Sequence, residues 1–130
     1  MEEPLLHAVP PPVRTVLVID DSPVECMLAT AVLRKLGCSV VCAASAEQAL
    51  MRMAGSRFDL AICDISLPDM DGLTLLASMR AATQAPPCIV LSAHDDGRNA
   101  EAALRAGARA YLVKPLQLAS MRAALDTLFP

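Results

Sequence analysis

The sequence predicts an α/β fold: a five-stranded parallel sheet wound with helices on both faces. Two observations carry this. Apolar runs of four or five residues recur at about 15–19, 39–43, 60–63, 88–91 and 110–113, apolar at consecutive positions, as strands buried on both faces of a parallel sheet require. Between them the apolar residues fall at helical spacing, so strand and helix alternate five times, the signature of right-handed βαβ crossovers.

Each helix has its own start and stop signals. Ser22-Pro23 reads as N-cap and first helical residue, with apolar positions at Met27, Leu28, Ala31, Val32 and Leu36 and Gly37 as the stop. Ser45-Ala46-Glu47-Gln48 fits a capping box opening a second helix that closes near Gly55. A third begins after Asp71-Gly72, with Leu73, Leu76 and Met79 on one side; the fourth runs from about Arg98 to Ala106 and ends at Gly107. Its alanines, with Glu101 and Arg105 interspersed, suit either packing on the sheet or a contact surface. Leu118, Met121, Leu125 and Leu128 mark the fifth. Ahead of all this, residues 1–13 hold four prolines and no periodicity, which reads as an extended or disordered arm preceding a domain over 14–130.

Composition narrows the function. A chain of 130 residues, 55% apolar, suffices for one domain with one sizeable core. No apolar run approaches a membrane span, and Met1-Glu2-Glu3-Pro4 carries no basic segment of a secretory signal, so a cytoplasmic location and no membrane partner are expected. The net charge of −3, without a basic cluster, disfavours direct nucleic-acid binding. The five cysteines form no CxxC pair; most fall among aliphatics and are expected to be buried thiols.

The most informative residues stand just past the end of each strand. Asp20-Asp21 come after the first, Asp64 after the third, Ser92 after the fourth and Lys114 after the fifth; only the second ends blandly, in Ala43-Ala44. In an open parallel sheet, ligands bind beyond the carboxyl ends of the strands, where strand order reverses. Each residue has an ordinary role to set beside this: an Asp there is often a helix N-cap, a Ser a turn former, a Lys a solvated charge, and Tyr111 a core ring with its hydroxyl at the surface. Jointly they are harder to explain so. Three crowded carboxylates resist ionising without a cation, and Mg²⁺, which favours oxygen ligands and phosphate, matches them. With Lys114 it balances three negative charges until a phosphoryl group arrives, and aspartate is an established covalent phosphoryl acceptor.

Together these residues resemble the receiver domain of two-component response regulators, of the chemotaxis-regulator kind, over about 14–128. The matching features are Asp20-Asp21, Asp64, Pro68, Asp71-Gly72, Ser92-Ala93 and Tyr111-Leu112-Val113-Lys114-Pro115, in that order. The resemblance implies a flavodoxin-like sheet of order 2-1-3-4-5 and a phosphorylation-dependent switch in two-component or phosphorelay signalling. Asp64 then accepts a phosphoryl group from a histidine kinase or a His-phosphotransfer protein, or at times from a small-molecule donor. Asp20, Asp21, Asp64 and the Ser66 backbone carbonyl hold Mg²⁺, and Ser92 and Lys114 contact the phosphoryl oxygens. Tyr111 turns inward as Ser92 moves, and the fourth helix, fifth strand and fifth helix form the face that partners read. Those partners are a downstream protein, a covalently linked output domain, or a second copy in a phosphorylation-dependent homodimer. Ser66 and His94 flank the attacking water and modulate phosphoryl lifetime; for His94 the competing role is an exposed loop histidine. Such a chain is no conventional enzyme, though it catalyses its own phosphorylation and slow dephosphorylation. Lys114-Pro115 is usually cis in this family.

The alternatives are a constitutive receiver-like adaptor and an aspartyl-phosphate-forming phosphatase. The latter commonly places a second Asp two residues after its nucleophile, where this chain has Ser66, and needs more chain than 130 residues. A flavodoxin-like electron carrier lacks a Ser/Thr/Gly-rich phosphate loop after the first strand here.

Overall fold

A computed structural model describes residues 14–81, 85–93 and 97–130. The proline-rich arm expected over residues 1–13, and His94, lie outside the described residues. Five strands, β1 (Thr15–Ile19), β2 (Ser39–Ala43), β3 (Leu60–Asp64), β4 (Cys88–Ser92) and β5 (Ala110–Val113), alternate with five helices, α1 (Pro23–Lys35), α2 (Ala46–Gly55), α3 (Gly72–Arg80), α4 (Gly97–Arg105) and α5 (Leu118–Leu128). All pairings are parallel, in the order β2-β1-β3-β4-β5. The order reverses between β1 and β3, which puts the crevice at their carboxyl ends.

Strand alternation divides the core into two layers. Leu17, Ile19, Ala61, Cys63 and Val90 face α2, α3 and α4, meeting Ala46, Ala49, Leu75, Leu76, Met79 and Ala103. Val16, Val18, Leu60, Ile62, Ile89 and Leu91 face α1 and α5, meeting Ala29, Leu33, Met121 and Leu125. Three helices therefore cover one face and two the other. Among the described residues no helix is long and apolar enough to cross a membrane.

The capping signals act as the sequence suggests, with one variation. Ser22 Oγ accepts from Glu25 N at 3.3 Å and Ser45 Oγ from Gln48 N at 3.1 Å. The Gln48 side chain reaches back one residue further than a capping box requires, accepting from Ala44 N at 2.9 Å. Gly37 and Gly107 take φ of 84° and 107°, the left-handed conformation that ends a helix.

Two expectations, for α1 and α5, need correction. The helix α1 buries Ala29 and Leu33, with Val32 and Leu36 partly covered, while Met27 is 71% exposed and Leu28 and Ala31 also face solvent. This helix is apolar nearly all round, from Val24 to Leu33, so periodicity alone does not select the face that meets the sheet. In α5, Met121 and Leu125 are buried but Leu118, the first residue of the helix, is exposed. Of the cysteines, Cys38, Cys63 and Cys88 are buried, Cys26 is half-buried and Cys42, on the edge strand β2, is exposed; all five are free thiols.

Leu33→Ala should therefore cost about 2–5 kcal/mol, whereas Met27→Ala should stay within about 0.5 kcal/mol. Urea unfolding of the two variants checks this; a larger loss in Met27→Ala than in Leu33→Ala would mean that α1 packs by the other face.

Candidate functional site

Where β1 ends, the chain steps onto the rim of the sheet as Asp20-Asp21. Asp20 N donates to Ala43 O at 3.0 Å, extending the β1–β2 ladder by one bond, and Asp20 Oδ1 accepts from Ser22 N at 3.0 Å. The Cys26 thiol, one turn into α1, donates to the Asp20 carbonyl at 3.4 Å. Asp64 is the last residue of β3, opposite Leu91, and its Oδ1 accepts from Ser66 N at 3.2 Å.

These positions converge. Carboxylate oxygens of Asp20, Asp21 and Asp64 lie within 4.8 Å of one another, Asp20 and Asp64 buried and Asp21 exposed. Lys114 Nζ donates to Asp20 Oδ2 at 2.8 Å and stands 3.2 Å from Asp64 Oδ2. Burial opposes the ammonium charge, but the bonds and charges of Asp20 and Asp64 outweigh it and hold the Lys114 pKa above its ordinary value. Lys114 thus remains protonated. One such cation for three carboxylates leaves the cluster with net negative charge. Its donors are all hard oxygens, open to solvent on the Asp21 side, a set that fits Mg²⁺.

Ser92 closes β4 on the same rim, fully buried, and its carbonyl accepts from Lys114 N at 2.7 Å. Tyr111 lies on β5 opposite Val90, partly buried against the layer that contains α4. The Lys114–Pro115 peptide is cis. Ser66 is exposed beside Asp64 and forms an isolated bridge with Asp71 across the β3–α3 loop.

That loop is where the structure adds most. Gly72 N donates to Ile65 O at 2.7 Å, and a Cβ on Gly72 would lie 2.5 Å from the Asp64 carbonyl oxygen. The backbone of α3 therefore approaches the acidic strand end as closely as only glycine permits. Asp71 caps α3, its Oδ1 accepting from Thr74 N at 2.8 Å. Asp69 accepts from Ala46 N at 3.0 Å and Glu47 N at 2.9 Å, so it fastens the loop to the N-terminus of α2. Those amide bonds hold the Asp69 carboxyl below its ordinary pKa. Sequence reasoning missed Asp69, whose partners are more than twenty positions away, and nothing local distinguishes it from a turn residue.

Comparison with known proteins places this geometry. Residues 16–126 match the model of the response regulator receiver domain. The chain is 36% identical over 111 residues to the transcriptional regulatory protein ZraR of Escherichia coli, covering 85% of this chain and 25% of that protein. It is 38% identical over 116 residues to the sensory/regulatory protein RpfC of Xanthomonas campestris, covering 86% and 16% respectively. It therefore spans only a small part of these relatives. The fold is similar to the chemotaxis response regulator CheY4 of Vibrio cholerae, with TM-score 0.82, 26% identity and coverage of 91% of this chain and all of that one. A response regulator receiver domain protein from Clostridium thermocellum gives TM-score 0.81 at 27% identity, covering 89% and 94%.

Because the folded pKa of Asp69 is depressed, its contribution is full above the unfolded value of about 3.9 and is lost as pH falls through the folded one. The protection factors of the Ala46 and Glu47 amides, taken relative to intrinsic exchange at each pH, should be high at neutral pH and fall only in acid. Asp69→Ala should remove that protection at every pH; unchanged exchange in the variant would rule out the fastening.

Proposed function

This chain belongs to the response regulator receiver family of two-component signalling, and from that premise we propose that Asp64 is the residue that accepts the phosphoryl group. The observation that carries the reading is the cluster itself: buried Asp64 and Asp20 bridged by one ammonium, with Asp21 beside them.

In the proposed transfer an Asp64 carboxylate oxygen attacks phosphorus of a phosphohistidine. The P–N bond breaks and an aspartyl phosphate forms, with the donor histidine released. Asp20, Asp21, Asp64 and the Ser66 carbonyl would hold Mg²⁺, which would supply charge neutralisation for the phosphoryl oxygens. Lys114 is already at Asp64 and meets the added negative charge by direct contact. To do so it shares or gives up its bond to Asp20, which is how local charge becomes local movement. Ser92, on the same rim, supplies a hydroxyl to a phosphoryl oxygen, and Tyr111 moves with it on the neighbouring strand.

The readout we assign is the face of α4, β5 and α5. Exposed apolar residues Leu104, Val113 and Leu118 contribute one each from these elements, which suits a protein target, an output domain or a second copy. Val24, Met27 and Leu28 expose a second apolar surface on α1 beside the acidic rim. A histidine kinase or phosphotransfer protein bringing its phosphohistidine to Asp64 would rest there.

With a small-molecule phosphodonor and Mg²⁺, the wild-type chain should gain the mass of one phosphoryl group. Asp64→Asn should show none, and chelating the metal should suppress the gain in wild type; an undiminished gain in the variant overturns the acceptor assignment. Separately, Lys114→Ala and Ser92→Ala should keep the fold by circular dichroism yet lose most of the phosphorylation-dependent change in resonances of α4, β5 and α5. A full response in either variant would remove that residue from the coupling.

A further inference from the structure

Two thiols outside the acidic site stand together. Cys42 lies on the edge strand β2, in register with Val18, and is exposed. Cys26 lies on α1, which packs over that strand. Thr30, one turn after Cys26 on the same face of α1, has its Oγ1 3.7 Å from Cys42 Sγ, so the Cys42 sulfur lies against the Cys26–Thr30 side of the helix. Both cysteines line one shallow cavity of about 320 Å³ open to solvent, with Met27 and Thr30. The other three cysteines are buried within the core layers.

From this geometry we propose that Cys26 and Cys42 are a modification site, a dithiol that a hydroperoxide converts to a reversible intramolecular disulfide. Cys42 reacts first because it is the exposed member. Its sulfur attacks a peroxide oxygen and the O–O bond breaks. The departing oxygen takes the thiol's proton and leaves as alcohol, or as water from hydrogen peroxide, and Cys42 becomes a sulfenic acid. The Cys26 sulfur, which lines the same cavity, then attacks the Cys42 sulfur; the S–O bond breaks and the hydroxyl leaves as water with the Cys26 proton. Overall two thiols lose two electrons and two protons, and one hydroperoxide is reduced to alcohol and water. The bond ties α1 to the edge strand and withdraws the proton that Cys26 donates to the Asp20 carbonyl, so it forms one turn from the acidic rim. Disulfides in reducing compartments are usually transient and serve sensing, which suits a pair with one exposed member better than a structural role does.

The test uses the reduced full chain, hydrogen peroxide at stoichiometric ratio, alkylation of remaining thiols, and peptide mass analysis. The expected product is a Cys26–Cys42 linked peptide lacking two hydrogens, restored by dithiothreitol, with Cys38, Cys63 and Cys88 left as thiols. In Cys26→Ser the sulfenic acid on Cys42 should be trapped by dimedone; in Cys42→Ser, Cys26 should remain fully alkylatable. Asp64→Asn should cross-link as wild type does, since the pair is independent of the phosphoryl reading. No reaction, a sulfinic acid on Cys42 with Cys26 free, or a bond between chains would each overturn the proposal.

Discussion

The Lys114 ammonium lies 2.8 Å from Asp20 Oδ2 and 3.2 Å from Asp64 Oδ2, and the rest of the rim is arranged to make those two contacts. In the order β2-β1-β3-β4-β5, β5 stands two strands from β3 and three from β1. At about 4.8 Å per strand, that is on the order of 10–14 Å of rim to cross. Only a long side chain beyond the strand end closes such a gap. The Lys114 amide is held to the Ser92 carbonyl at 2.7 Å, which fixes where the stem begins, and the register of β4 with both neighbours does the rest. The cation is thus a consequence of topology as much as of its own position.

The acids are held with similar economy of reach. Asp20 is fixed by its own backbone, through Ala43, and by its carboxylate, through the Ser22 amide that opens α1. Asp64 is fixed by the Ser66 amide, while Gly72 lets the start of α3 lie against the Asp64 carbonyl. Any side chain at Gly72 would push the α3 backbone away from the strand end. Asp69 and Asp71 then anchor the same loop to α2 and α3 respectively. The segment from Ile65 to Asp71 is irregular in outline, yet tied at both ends and in the middle. Such a loop keeps the Asp64 carboxylate oriented while its outer side stays open.

Each sequence signal was legible to the extent of the contact it measures. The central strands β1, β3 and β4, buried on both faces, write their positions as unbroken apolar runs. The edge strands β2 and β5 are only partly buried but equally apolar in sequence, so all five, and the polar residues after them, were readable from Val16 to Lys114. Caps were readable because Ser22 and Ser45 bond amides only three positions away. The packed face of α1 was not, since a helix apolar on nearly every side carries no periodic contrast; Met27 and Ala29 look equally suited to a core. Asp69 was hidden for the opposite reason: it bonds the start of α2, distant in sequence and adjacent only once the sheet has formed. The Cys26–Cys42 pair likewise joins a helix to an edge strand, and two cysteines sixteen positions apart announce nothing until β2 is paired with β1.

A purely structural role for the Asp20–Lys114–Asp64 group is the remaining alternative, and its energetics tell against it. Taking charges out of water costs several kcal/mol per ion before any attraction is counted, and apolar replacements of similar volume are often neutral or stabilising. The fold needs no ion pair here: both core layers are complete below the rim, and β1, β3 and β4 are apolar along nearly their whole length. A stabilising pair would also be balanced, one acid to one base. Here a single ammonium serves two buried carboxylates, and a third, Asp21, stands exposed within 4.8 Å where nothing about the core calls for it. The excess of negative charge faces solvent on the open side of the sheet's reversal point. Such an arrangement costs the folded state something at rest, a cost that the proposed cation and phosphoryl group would offset.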